Sequence, residues 1–256
     1  MNNASKYTKS NLQKDWGKKY DESYSKDYYD SRIWEIEKEI LKEILKNKTS
    51  KKLMDFACGT GRITKYLEEM GFNDITCVDA SNEMLKEAKK KLKKAKFYTI
   101  DITSNELNKK FKENSFDITT SFRFFLNAEN HLRKHAFVKL NKVLKKGGIF
   151  IFNIHGNKKS LRFFKVLIIN FLKFLLQGKK IREGISFYRN QLSLSDIENL
   201  IKATDLKIKE VYSYSFLPKF SVKILNKKKW VSLEKEIITK KFPYGRHLMI
   251  VCEKTK

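Results

Sequence analysis

Glycine, proline, cysteine and arginine are all in short supply in this chain. Only 10 glycines and 2 prolines (Pro218 and Pro243) occur among 256 residues. No linker or internal repeat divides the sequence, so it reads as one domain with room for a large core. The 3 cysteines, Cys58, Cys77 and Cys252, show no metal-ligand spacing and no even count. That excludes a disulfide framework and reads as reduced thiols in a cytoplasmic protein. No uninterrupted apolar run reaches bilayer-spanning length, and the polar start MNNASKYTKSNLQKDW has no signal-peptide core. Acids are outnumbered, leaving a net charge of +26, yet 47 of the 55 basic residues are lysine and only 8 arginine. Arginine's planar fork is the group that reads phosphates and guanine edges, so the charge does not by itself favour nucleic acid as a partner. The field still attracts anions, or an anionic membrane, at low salt.

What the chain does contain is organised around KLMDFACGTGRITKY, residues 52–66. Leu53, Met54 and Phe56 form a short apolar run that predicts a buried strand. The small-residue turn Ala57-Cys58-Gly59-Thr60-Gly61 follows, and then Ile63, Tyr66, Leu67 and Met70 at helical spacing. Strand, glycine turn and helix aim backbone N–H groups at a bound anion. Gly59 and Gly61 let the main chain turn sharply and approach a ligand. A tight turn in some other α/β protein fits the same residues, because a lone glycine pattern is weakly specific.

The run D-F-A-C-G-T-G-R resembles motif I of the class I S-adenosylmethionine (SAM)-dependent methyltransferases, E/D-x-G-x-G-x-G, with Ala57 in place of the first glycine. The dinucleotide fingerprint fits less well, since Thr64 stands where its third glycine belongs. The resemblance implies a Rossmann-like α/β fold: a seven-stranded, mostly parallel sheet with an antiparallel last strand and helices on both faces. It implies SAM as cofactor and no metal. Asp55, Gly59 and Gly61 would hold the methionine end, with Ala57 and Cys58 in the same turn. It is strong over residues 50–155 and rests on element order over 185–253.

The later strands carry acids in register with this reading. Ile75–Val78 predicts a second strand ending in Asp79, 18 residues after Gly61. A carboxylate there accepts hydrogen bonds from a ribose diol, a requirement shared by NAD and SAM binders. Ala80 and Ser81 open a helix with Ser81 as N-cap. The family's D-x-S-x-x-M-L pattern is met by Asp79, Ser81, Met84 and Leu85, which places Ala80 and Met84 near the adenosine. A third strand, Phe97–Ile100, ends in Asp101-Ile102, which the resemblance sets at the adenine. The fourth, Phe116–Ser121, leads into Phe122, Arg123 and Asn127. Phe122 is a candidate cofactor contact, and Arg123 and Asn127 are candidates for the acceptor pocket. Arg123 could hold a carboxylate or phosphate bidentately, or form a surface ion pair. The N/D-P-P-Y signature of base-amine methylation is missing here, and so is a cysteine nucleophile.

A helix over Leu132–Leu144 is expected to stop at Lys145-Lys146-Gly147-Gly148 before a strand over Ile149–Ile154. His155, at a strand's C-terminal edge, is the first candidate general base, and His131 the second; a structural histidine fits either position. Tyr20, Tyr28 and Tyr29 are candidate lid residues ahead of a helix through Ile33 and Leu45. Leu161–Gln177 predicts a strongly apolar helix. Arg162, Lys165, Asn170 and Lys173 lie along one edge that Val166 and Ile169 interrupt. A lid, a dimer contact, an in-plane membrane helix and a core helix all suit it. Tyr188 and Arg189 are further pocket candidates. A helix over Ser195–Ala203, a strand over Lys207–Ser215, a helix over Val222–Lys240 and a closing strand over Arg246–Glu253 complete the chain.

The domain divides into a lid and helix region (1–46), a cofactor core (47–155), a helical insertion (156–192) and the rest of the sheet (193–256). The expected activity is methyl transfer from SAM to a small-molecule acceptor, with lipid-linked and glycan acceptors in view and a peripheral membrane contact through 161–177. An RNA methyltransferase using the basic surface is the first alternative. A non-catalytic SAM-fold protein that binds a membrane or partner is the second.

Overall fold

The computed structural model describes Glu22, residues 28–177 and residues 191–256. Seven strands form one sheet in the order β3-β2-β1-β4-β5-β7-β6. In chain order they are β1 (Leu53–Phe56), β2 (Ile75–Asp79), β3 (Lys96–Thr99), β4 (Phe116–Ser121), β5 (Leu144–His155), β6 (Leu206–Tyr214) and β7 (His247–Lys254). Neighbours from β3 to β5 pair in parallel, while β7 runs antiparallel between β5 and β6. The chain reverses direction across the sheet at β1, so the crevice opens outside the C-terminal ends of β1 and β4, where open α/β sheets bind ligands.

Each face is covered by its own apolar layer. On one side, Met54, Phe56, Phe150 and Phe152 pack against Phe124 and Phe125 and against Phe137 of the helix α6 (Asn130–Val143). On the other, Leu53, Ile118 and Ile151 meet the helices α1 (Tyr29–Leu45) and α2 (Arg62–Glu69). Helix α1 buries Ile33, Ile36, Ile40, Leu41 and Leu45 at helical spacing. Each such side chain contributes roughly 1.5–3 kcal/mol when fully buried, which fixes this helix over the strand ends it reaches. The remaining helices are α3 (Asn82–Lys91), α4 (Glu106–Lys110), α5 (Phe124–Asn127), α7 (Leu161–Gln177), α8 (Leu194–Ile201), α9 (Ser221–Ile224) and α10 (Lys227–Ile237).

Two local expectations need correction. Lys145–Gly148 does not lie outside β5; the strand begins at Leu144 and carries these residues as an irregularity, its pairing jumping from Phe116↔Leu144 to Ile118↔Ile149. The helix expected over Val222–Lys240 is two helices, because Asn226 takes an extended backbone and caps α10 by accepting from the Lys229 N–H. Helix α7 does not bury its apolar face among the described residues: Phe164, Ile168, Phe171, Leu172 and Leu175 are all exposed. The edge bearing Arg162, Lys165, Val166 and Ile169 lines a cavity. No helix among the described residues is long and apolar enough to cross a membrane.

Candidate functional site

The β1 turn is built for a close ligand approach. Gly59 has φ +55°, and a Cβ added there would meet nothing within 4 Å. Its N–H donates to Asp79 Oδ2 at 2.8 Å, while Asp79 Oδ1 accepts the Ser81 N–H at 2.8 Å. The acid at the end of β2 therefore pins both turns that flank it. The Ala80 N–H bonds the same carboxyl, so three backbone donors occupy it and, of the roughly four acceptor positions of a carboxylate, room for a ligand hydroxyl remains. Burial pushes the Asp79 carboxyl up from its ordinary value, and the Ser81 and Gly59 N–H groups pull it back.

Ala57, Asp79, Ala80, Asp101 and Ile102 line one narrow cleft. Phe56, Ser81, Ile100, Phe124 and Leu132 complete its wall. The acids stand at the ends of adjacent strands, and the apolar side chains form flat flanks between them. That combination fits a nucleoside: carboxyl acceptors for ribose hydroxyls and an exocyclic amine, with an apolar slot for the ring. Sequence reasoning did not single out Phe124 and Leu132. Both sit on helical turns after β4, where nothing local distinguishes a cleft wall from a core residue.

Asp55, Cys58, Gly61, Met84 and Phe122 are not among the residues that line this cleft. Asp55 is 1% exposed and accepts from Thr64 Oγ1 at 2.7 Å and Thr120 Oγ1 at 2.8 Å. Burial raises it to about 6, against the pull of the two hydroxyls and Arg62. It stiffens the turn from below. Gly61 is a packing glycine: a Cβ there would come within 2.6 Å of Leu92 Cδ1. Cys58, Met84 and Phe122 are buried and are not among the residues lining the cleft. Ala57 carries φ +54°, a left-handed backbone on a residue with a Cβ. The position asks for the glycine that the family motif has there.

A second polar cluster occupies the ends of β4 and β5. Glu37, on α1 and fully buried, receives the Tyr214 hydroxyl at 2.9 Å and the Asn153 amide at 2.7 Å. His155 Nε2 lies 3.1 Å from Glu37 Oε1 and 2.9 Å from Asn153 Nδ2. Arg62 NH1 is 3.7 Å from Glu37 Oε2. Burial drives His155 well below its ordinary pKa, and Arg123, Arg62 and Arg246 add to the shift. The ring is thus neutral and held by the Glu37 and Asn153 side chains. His131 does not join it. That residue is exposed on α6, its ring 6.4 Å from that of His135.

Arg123, in a left-handed turn with φ +67°, donates its N–H to Asn153 Oδ1 at 2.8 Å and extends its guanidinium to Asp30 at 3.3 Å. Asn127 is exposed and its amide donates to the Arg123 carbonyl. Tyr29 is a helix residue whose hydroxyl reaches His247 Nε2 at 3.2 Å and also bonds Ser215; Tyr28 is exposed. Tyr20, Tyr188 and Arg189 lie outside the described residues. Among those described, no group of histidine, cysteine and acidic side chains could hold a metal ion. All three thiols are free and buried.

An open doubly wound sheet with a glycine turn and acids at successive strand ends is the architecture of α/β proteins that bind nucleosides. The sequence profile of the family described as "Methyltransferase domain" matches residues 54–152. A demethylmenaquinone methyltransferase of Leptospira interrogans is 32% identical over 66% of this chain and 71% of its own length. An uncharacterised protein of Methanocaldococcus jannaschii is 30% identical over 78% of each chain. The fold matches that of geranyl diphosphate C-methyltransferase from Streptomyces coelicolor, with a TM-score of 0.58 and 12% identity over 88% of this chain and 80% of that one. The chain belongs to the class I SAM-dependent methyltransferases. It is an enzyme of that class and its cofactor is SAM.

Proposed function

We propose that this enzyme methylates a small-molecule acceptor of apolar, lipid-linked character. The observation that carries the cofactor half of this reading is the convergence of Ala57, Asp79 and Asp101, from the ends of β1, β2 and β3, on one cleft. Asp79 takes the ribose hydroxyls, Asp101 the exocyclic amine, and Ile102, Phe124 and Leu132 flank the ring. Gly59 presents bare backbone to the methionine end. SAM supplies a methyl group activated by a sulfonium. The residues around it have to align the acceptor for in-line attack and exclude water, because the leaving thioether departs neutral.

The Glu37–Asn153–His155 cluster holds the ends of β4 and β5 rigid for that alignment. The apolar character of the acceptor is supported by the exposed face of α7, whose Phe164, Ile168, Phe171 and Leu172 stand in solvent. The same face supports a peripheral contact with a membrane surface through 161–177. The relative named for demethylmenaquinone supports a small acceptor. Incubation with methyl-labelled SAM and a fractionated cell extract tests the reading. Label is expected in the organic-soluble, protein-free fraction. Label confined to RNA or to protein would contradict it.

A further inference from the structure

Between α7 and the segment 215–220 lies a cavity of about 460 Å³, within the range of small-molecule sites. It shares no lining residue with the nucleoside cleft. Its described lining contains four cations, Arg162, Lys165, Lys219 and Arg246, and no acid. The rest is mostly apolar, with Val166 and Ile169 on the α7 side and Leu217 and Phe220 opposite. Among its lining residues Leu161, Phe220 and Tyr244 are 65%, 63% and 44% exposed.

The wall opposite α7 is firmly built. The buried Glu234 carboxyl accepts the N–H groups of Ser215 at 3.0 Å, Phe216 at 3.2 Å and Leu217 at 2.6 Å. Three backbone donors on one side chain fix the segment where it faces the helix. The Lys219 ammonium and the Arg246 guanidinium both sit on the Tyr29 ring, 5.1 and 5.0 Å from its centroid. The cations also feel one another. Burial lowers the Lys219 pKa, and Arg246 and Arg162 lower it further, with Asp30 opposing. Crowded like charges cost free energy that an anion would relieve.

The amphipathic pattern of α7 fits this arrangement. Arg162, Lys165, Val166 and Ile169 follow helical i, i+3, i+4, i+7 spacing, so cations and aliphatic groups share the stripe that faces the cavity. Such a mixed stripe suits a ligand that is itself mixed.

We infer that this cavity binds an amphipathic anion, with a phosphate or carboxylate head among Arg162, Lys165, Lys219 and Arg246 and an apolar body against Val166, Ile169, Leu217 and Phe220. It deepens the proposed function and rests on it: the acceptor class becomes an anionic amphiphile, seated beside the strand-end cluster through Tyr29 and Arg246. Whether the head comes from a soluble molecule or a lipid bilayer, the chemistry of recognition is the same.

Calorimetry of the full chain with decyl phosphate, decanol and inorganic phosphate tests it, alongside the exposed-site double variant Lys165→Glu/Lys219→Glu. S-adenosylhomocysteine affinity is measured on every sample. Decyl phosphate is expected to bind about tenfold or more tighter than either decanol or phosphate alone, and the double variant to lose about tenfold or more. Competition by phosphatidylglycerol vesicles would place the head in a bilayer; binding of decyl phosphate without such competition would place it in solution. Both support the inference. Equal binding of decanol and decyl phosphate, or an unchanged double variant, would overturn it. Arg162→Glu serves as a second variant if the first does not fold. Intact homocysteine-nucleoside binding with no decyl phosphate binding defeats this inference alone. Absence of that nucleoside binding in the unmodified chain defeats the methyltransferase reading instead.

Discussion

Glu37 Oε1 lies 3.1 Å from His155 Nε2, although 118 residues separate them in the chain. The contact ties α1 to the end of β5. The same carboxyl oxygen takes the Tyr214 hydroxyl and the Asn153 amide. Glu37→Ala leaves those buried groups without their acceptor and is expected to cost roughly 3 kcal/mol. Glu37→Gln keeps an acceptor oxygen and should recover part of that loss. Urea unfolding of both variants measures it. A loss below about 1 kcal/mol for the alanine variant would show that the cluster adds little.

The two buried histidines give a pH dependence of definite sign. His155 and His247 are both held well below the ordinary histidine value, first by burial and then by neighbouring positive groups. A depressed folded value means the unfolded chain takes up protons first. Their contribution is therefore fully present above pH 6.5 and is lost as pH falls through the folded values. Denaturant midpoints for the unmodified chain and His155→Gln should converge as pH is lowered from 7.5 to 5. A constant gap would contradict the assignment.

Asp55 acts in the opposite sense. Its carboxyl is raised from 3.8 to about 6, so the stability tied to it is present below pH 3.8 and is lost as pH rises through 6. Asp55→Asn removes the cost of holding a buried charge at neutral pH. The expected gain at pH 7.5 is about 2 kcal/mol, shrinking toward pH 4. A destabilised variant at pH 7.5 would show that the bonds from Thr64 and Thr120 outweigh burial.

Ala57 sits at φ +54°. A left-handed residue with a Cβ costs roughly 1–2 kcal/mol, partly offset by the smaller chain entropy of alanine in the unfolded state. Ala57→Gly should raise stability by about 0.5–1 kcal/mol. A fall in melting temperature would mean that the methyl group packs favourably enough to cover the strain.

How much of this was legible in the sequence follows from distance along the chain. The turn from Asp55 to Gly61 and the acids Asp79 and Asp101 could be read, because strand, glycine turn and strand-end acid are local patterns. The α8 cap rests on an equally local pattern, with Ser193 and Ser195 both fitting it in the sequence; in the structure the Ser193 hydroxyl accepts the Asp196 N–H, and the Asp196 carboxyl accepts the Ser193 N–H. The Glu37 cluster could not be read, since Tyr214 and Glu37 are 177 residues apart and meet only through the sheet order. Nor could the orientation of α7, where apolar residues surround most of the helix and periodicity leaves the inward edge undecided. Lys145–Gly148 looked like a helix stop because a strand irregularity uses the same residues. Gly61 and Gly59 looked alike in the motif, yet one faces Leu92 and the other open space.

The central claim is that Asp79 receives the ribose of the cofactor. Calorimetric titration of SAM into Asp79→Asn, compared with the unmodified chain at one pH and salt concentration, tests it most directly. Affinity is expected to fall by one to two orders of magnitude, roughly 1.4–2.8 kcal/mol, in a variant whose unfolding remains cooperative. Unchanged affinity in that folded variant would contradict it.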